Sequence, residues 1–133
     1  MSRITSKDTR PELAVRRALY SQGVRYRVHV SDLPGKPDIA IKKHKLVIEV
    51  KGCFWHGHMN CLDGHIPKTN SKFWKNKISK NQERDHKNKE KLELLGYTVH
   101  CIWECEVKQQ RKLNYFIKII VEYLGTKVDE KNV

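Results

Sequence analysis

The chain has 133 residues, 27 Lys and Arg against 15 Asp and Glu, and a net charge of +12. That length fits one domain spanning 1–133, large enough to bury a core without disulfides. No apolar run reaches the roughly 18 residues of a membrane span and no signal h-region opens the chain, so a cytoplasmic protein with no membrane partner is expected.

Thr9-Arg10-Pro11-Glu12 reads as a helix start: a capping threonine, a proline suited to the first turn and a glutamate three residues after the cap. The apolar stripe Leu13, Ala14, Val15, Ala18, Leu19 follows, and Gly23 ends the helix. Val24 to Val30 alternates apolar and basic residues, the pattern of a half-buried strand. A turn over Leu33–Pro37 delivers Asp38 to a second strand, Asp38–Ile41. Lys42–Lys45 makes a hairpin connection to a nearly all-apolar central strand, Leu46–Val50, interrupted by Glu49. Residues 52–69 are rich in Gly, His, Asn and Pro. Asn70 to Leu95 is helical in composition and stopped by Gly96, but Ser79–Lys91 is almost wholly polar, which predicts a break or a solvated stretch there. Tyr97–Trp103 reads as a strand and Leu113–Leu124 as an amphipathic helix, with a fraying polar tail after Gly125. The expected fold is α/β, a mixed sheet flanked by helices.

Asp38 and Glu49 are separated by ten residues, and Lys51 returns to the strand face of Glu49. Hydrolysis of a phosphodiester needs an activated water and neutralised charge on the phosphate. Carboxylates on adjacent strands can hold Mg²⁺ for both purposes. Glu49 is costly inside an apolar strand unless a cation offsets it. The Val50 carbonyl is a candidate third ligand, and Lys51 a residue to orient or deprotonate water. The plainer alternative is a buried Glu49–Lys51 ion pair with Asp38 capping a turn.

The four cysteines lie among histidines in a chain with no secretory signal, which favours metal binding by reduced thiolates over disulfides. Cys53, His58 and Cys61 are candidate ligands of a structural Zn²⁺, with Cys105 as the fourth; Cys101 and His65 are weaker fourth candidates. His56 between them is a candidate general base or acid, with a structural histidine as the alternative. Lys68–Lys91 is dense in Lys and Arg around Phe73 and Trp74, a pattern that points to nucleic acid. Lys75, Lys77 and Lys80 are its candidate phosphate contacts.

With these residues in place the chain resembles the very short patch repair (Vsr) DNA mismatch endonucleases from about Arg3 to Lys112. The motifs are Ser6-Lys7-Asp8-Thr9-Arg10-Pro11-Glu12-Leu13, Leu33-Pro34-Gly35-Lys36-Pro37-Asp38, Gly52-Cys53-Phe54-Trp55-His56-Gly57-His58, Phe73-Trp74, Lys80-Asn81-Gln82-Glu83-Arg84-Asp85 and Trp103-Glu104-Cys105. The resemblance implies a restriction-endonuclease-like fold and Mg²⁺-dependent nicking of double-stranded DNA beside the thymine of a T:G mismatch, with other repair proteins as further partners. It makes Asp38 the metal-binding aspartate, His56 the catalytic histidine and Glu12 a support of the water and histidine network. Cys53, His58, Cys61 and Cys105 fall where the zinc ligands fall. Phe54, Trp55 and Trp74 match aromatics that wedge into the duplex, a role an aromatic ring can fill where a mispair has weakened stacking; core packing is their alternative. Two departures stand out. Glu49 and Lys51 replace an apolar residue and a histidine of the family, completing a two-carboxylate-plus-lysine nuclease pattern. The resemblance also begins near Arg3, so the family's DNA-gripping N-terminal arm is expected to be short or missing. Two other functions fit the motifs: a restriction-type or mobile-element endonuclease on the same centre, and a non-catalytic zinc-stabilised DNA-binding module.

Overall fold

The computed structural model describes residues 9–53 and 68–132, the side chains of 126–132 excepted. Helix α1 (Arg10–Ser21) starts where the cap predicts: the Glu12 amide donates to Thr9 Oγ1 at 3.4 Å, and Gly23 follows in the left-handed region at φ 82°. Strands β1 (Arg27–Val28), β2 (Ile39–Ile41), β3 (Leu46–Lys51) and β4 (Thr98–Trp103) form one sheet in the order β1-β2-β3-β4. The first two pairings are antiparallel and β3–β4 is parallel. The sheet is therefore mixed, as expected, and its parallel pair joins β3 to the last strand in that order.

Side-chain alternation assigns the two faces. Ile39, Ile41, Leu46, Ile48 and Ile102 pack with Val15 and Leu19 of α1 and with Leu113, Ile117 and Ile120 of α4 (Gln110–Asn132). Ala40 and Val47 point the other way, into a smaller core with Val30, Leu33 and Leu92 of α2 (Ser71–Leu94). A short helix, α3 (Glu104–Val107), links β4 to α4 and brings Val107 into the larger core.

Three expectations change. The strand predicted over Val24–Val30 shrinks to Arg27–Val28, because His29 turns left-handed at φ 48° and breaks the pleat; Val28 then faces solvent, 39% exposed. The amide of His29 still donates to the Asp38 carbonyl at 3.2 Å, so the chain remains paired past the corner. The final helix continues through Gly125 to Asn132, past the predicted end at Leu124; one glycine costs about 1 kcal/mol in a helix but does not end it.

The third change is the largest. Helix α2 has no break over Ser79–Lys91. Its less exposed positions are Ser71, Trp74, Ile78, Asn81, Asp85, Asn88 and Leu92, spaced alternately by three and four residues. That spacing draws one narrow seam along a straight helix. Asn81, Asp85 and Asn88 of the middle thus face the protein, while the other residues of Ser79–Lys91 are exposed, the solvated stretch that was the alternative to a break. Asn88 lies so close to the Leu33–Pro37 turn that a methyl group on Gly35 would come within 2.7 Å of its side-chain nitrogen, and Gly35 itself sits at φ 76°. A bare glycine lets α2 press on the turn that carries Asp38.

Candidate active site

The Asp38 carboxylate lies at the edge between β2 and β3. Ile39 pairs with Ile48, and one step further the same register sets Asp38 opposite Glu49. Asp38 Oδ2 accepts the Val50 amide at 2.8 Å, standing in for a ladder carbonyl where β2 has ended. The sequence thus brings together Asp38, Glu49 and the Val50 backbone, as the ten-residue spacing suggested. Burial pushes the Asp38 carboxyl up to about 6, against the pull of the Val50 hydrogen bond; the charges of Glu12 and Glu49 push the same way. A buried carboxylate with two acidic neighbours is a group that a cation would favour in its charged form.

Glu49 and Lys51 emerge on one face of β3, with Lys51 Nζ 3.9 Å from Glu49 Oε2. Both the ion pair and the nuclease reading of these two residues rest on this geometry. Lys51 has a second carboxylate at the same distance, Asp85 of α2, and it lies 5.6 Å above the ring of Trp103 on β4. The lysine is held by two acids and an aromatic ring. Each of the three ion-pair side chains is only about a fifth exposed, at 20%, 17% and 22% for Lys51, Glu49 and Asp85. Asp85 is a residue that sequence reasoning missed. Its signal was the 3-4 spacing of the α2 seam, which a hydropathy reading passes over because four of its members are polar.

On the α1 side, Glu12 is 2% exposed and accepts from Arg16 Nη2 at 3.0 Å. Arg16 Nη2 also lies 2.9 Å from His29 Nε2, which is 3.6 Å from Glu12. One ligand atom each from Glu12, His29 and Asp38 falls within 4.8 Å of the others, a group that can hold a metal ion. Glu12 therefore joins Asp38 as the motif implied. His29 and Arg16 were not foreseen: the alternation of Val24–Val30 counts His29 as an outward residue, whereas its antiparallel pairing with Asp38 is what aims it inward.

Cys53 is fully buried where the chain leaves β3. Its Sγ accepts the Cys105 amide at 3.4 Å, and its own amide donates to Glu104 Oε1 at 3.4 Å. Two of the four candidate zinc ligands are thus neighbours across 52 residues of sequence, and a sulfur that accepts an amide is suited to thiolate character. Cys101 lies elsewhere, on the β4 face beside Glu49 and Lys51, and burial pushes its thiol up to about 11. Among the described residues no disulfide forms. Phe54, Trp55, His56, His58, Cys61 and His65 lie outside the described residues.

At the start of α2, Phe73 is 56% exposed and packs edge-on against the half-buried Trp74 with centroids 5.0 Å apart. Lys75, Lys77 and Lys80 are exposed on the same stretch of helix.

Comparison with known proteins gives this geometry its family. Residues 1–62 match the family model described as DNA mismatch endonuclease Vsr. The type II nicking enzyme V.NmeAIP of Neisseria meningitidis is 48% identical over 124 residues, covering 90% of this chain and 88% of the relative. The type II nicking enzyme V.XorIIP of Xanthomonas oryzae pv. oryzae is 42% identical, covering 92% and 89%. The DNA mismatch endonuclease Vsr of Escherichia coli is 39% identical, covering 85% of this chain and 72% of its own length. The matched span carries Asp38, Glu49 and Lys51 of the sheet and Glu12 of α1, and the chain belongs to the Vsr family of DNA endonucleases, enzymes that hydrolyse phosphodiester bonds.

Proposed function

We propose that the chain nicks one strand of duplex DNA at or beside a T:G mismatch, in a reaction that depends on Mg²⁺, with a structural Zn²⁺ shaping the loop next to the centre. The observation that carries the reading is the gathering of Glu12, Asp38 and Glu49, with Lys51 Nζ 3.9 Å from Glu49 and burial pushing the Asp38 carboxyl up to about 6. A divalent cation bound there supplies Lewis acidity and a water activated at neutral pH. Asp38 and Glu49 hold the charge that anchors it, with the Val50 backbone beside them. Lys51, steadied by Asp85 and Trp103, orients the water or stabilises charge on the phosphate. His56 moves the proton, and Glu12 supports it. Cys53 and Cys105 are two of the zinc ligands; His58 and Cys61 complete the set.

Mismatch reading is assigned to Phe54, Trp55 and Trp74, because an aromatic ring can replace stacking lost at a weak pair. The relatives named as type II nicking enzymes favour a second reading, in which the same centre nicks at a sequence or structure other than T:G. Matched and T:G-containing duplexes, incubated with and without Mg²⁺, decide between them. Nicking of the T:G duplex alone, and with Mg²⁺ only, is the expected result; equal nicking of both duplexes sinks the mismatch assignment.

Lys75, Lys77 and Lys80 are placed to track the phosphate backbone. Changing any one to alanine should flatten the log–log dependence of binding on salt by about one unit, equally for matched and mismatched DNA. An unchanged slope moves the DNA-contact surface elsewhere.

A further inference from the structure

Glu12, His29 and Asp38 reach one point from three elements: the first turn of α1, the left-handed corner after β1, and the start of β2. The corner is what turns the imidazole towards Asp38, and the His29 amide bound to the Asp38 carbonyl keeps the two residues in step. Asp38 gives one carboxylate oxygen to the Val50 amide, which leaves the other for a cation.

A cation already stands among these groups. The Arg16 guanidinium is 3.0 Å from Glu12 Oε2 and 2.9 Å from His29 Nε2. An arginine nitrogen can only donate, so Nε2 accepts and the ring carries its proton on Nδ1. Nε2 therefore holds the lone pair that a metal ion would use.

We propose that His29 is a ligand of the divalent cation held at Asp38, and that Arg16 is the stand-in cation that yields Nε2 when the metal enters. The group of Glu12, His29 and Asp38 then offers two carboxylates and one imidazole, in addition to Glu49 across the strand pair from Asp38. Mg²⁺ prefers oxygen ligands and parts reluctantly with its waters, whereas an imidazole favours ions further along the transition series. The centre thus binds Mn²⁺ more tightly than Mg²⁺, although both occupy it. This inference rests on the metal-dependent nuclease reading and adds to it a residue and a metal preference.

The test is a Mn²⁺ titration of the whole chain without DNA, read from the loss of the free-ion electron paramagnetic resonance signal, with Mg²⁺ affinity read by competition. His29→Gln keeps an oxygen that can accept from Arg16 but removes the imidazole. It should weaken Mn²⁺ binding by roughly tenfold or more, since even the outer partners of metal ligands cost that much. Mg²⁺ affinity should fall by much less, so the preference between the ions narrows. Arg16→Met should tighten Mn²⁺ binding, because the competing cation is gone. A His29→Gln protein with wild-type Mn²⁺ affinity, or an unchanged preference between the ions, overturns the proposal and makes the cluster an ion-pair network. The nuclease reading is checked separately by nicking with the wild type. Nicking by the wild type together with unaltered Mn²⁺ binding by His29→Gln defeats this inference alone; a wild type that neither binds Mn²⁺ nor nicks defeats both.

Discussion

Asp38→Asn should abolish nicking and, without added divalent cation, make the protein more stable at neutral pH. The asparagine keeps an oxygen to accept the Val50 amide but carries no charge. Loss of metal anchorage costs several kcal/mol of transition-state stabilisation, roughly a thousandfold in rate. The stability gain follows from the raised carboxyl. Its value of about 6 in the fold lies above the ordinary 3.8, so between those values the folded state holds a proton that the unfolded state has lost. The contribution of Asp38 to stability is therefore complete below about pH 4 and disappears as the pH rises through 6. The shift corresponds to roughly 1–2 kcal/mol once solvent access to the half-buried group is allowed for. Urea unfolding from pH 4 to 7 should show wild type losing ground to Asp38→Asn across that window. Saturating Mg²⁺ should restore wild type by mass action and leave the variant unchanged. A variant no more stable than wild type at pH 7 would mean that Asp38 is satisfied without a cation.

Cys53→Ser should be the most damaging single change to the fold. Cys53 is wholly buried against the Cys105 amide, at the point where β3 and the segment after β4 meet. If the pair holds zinc, the protein should carry one zinc ion per chain by elemental analysis. The serine variant should lose it together with about 4 kcal/mol or more of stability, the scale of change that accompanies loss of a structural metal. Cys101→Ser, on the β4 face beside Glu49, should keep its zinc. A zinc-free wild type that folds and melts normally removes the structural metal from the account.

The sequence was readable wherever a single local rule decided the structure. Thr9 caps α1 because a side-chain oxygen next to a proline-led first turn has few other uses. Asp38 and Glu49 meet because a short hairpin leaves the two strands one register. It was unreadable where two rules competed. Polar residues at Asn81, Asp85 and Asn88 suggested a break or a solvated stretch, yet the helix runs on and these three are half-buried, because their partners, Lys51 and the turn at Gly35, are themselves polar or bare. His29 followed strand alternation in the sequence, but its left-handed backbone, set by the hairpin into Asp38, reversed the direction of its ring. Both errors fell at the site, where local preference yields to function.

The parallel pairing of β3 with β4 has a consequence for the order of events during synthesis. Glu12, Asp38, Glu49 and Lys51 all lie in the first 51 residues, but the strand that flanks β3 and the ring beneath Lys51 arrive only with Thr98–Trp103. Contacts across some fifty residues of chain form late and slowly, since the loop must close before the pairing rewards it. An unfinished chain on the ribosome can therefore display every acidic group of the centre without the strand that aligns them. A DNA-cutting enzyme wired this way gains its cutting geometry only after Trp103 has joined the chain.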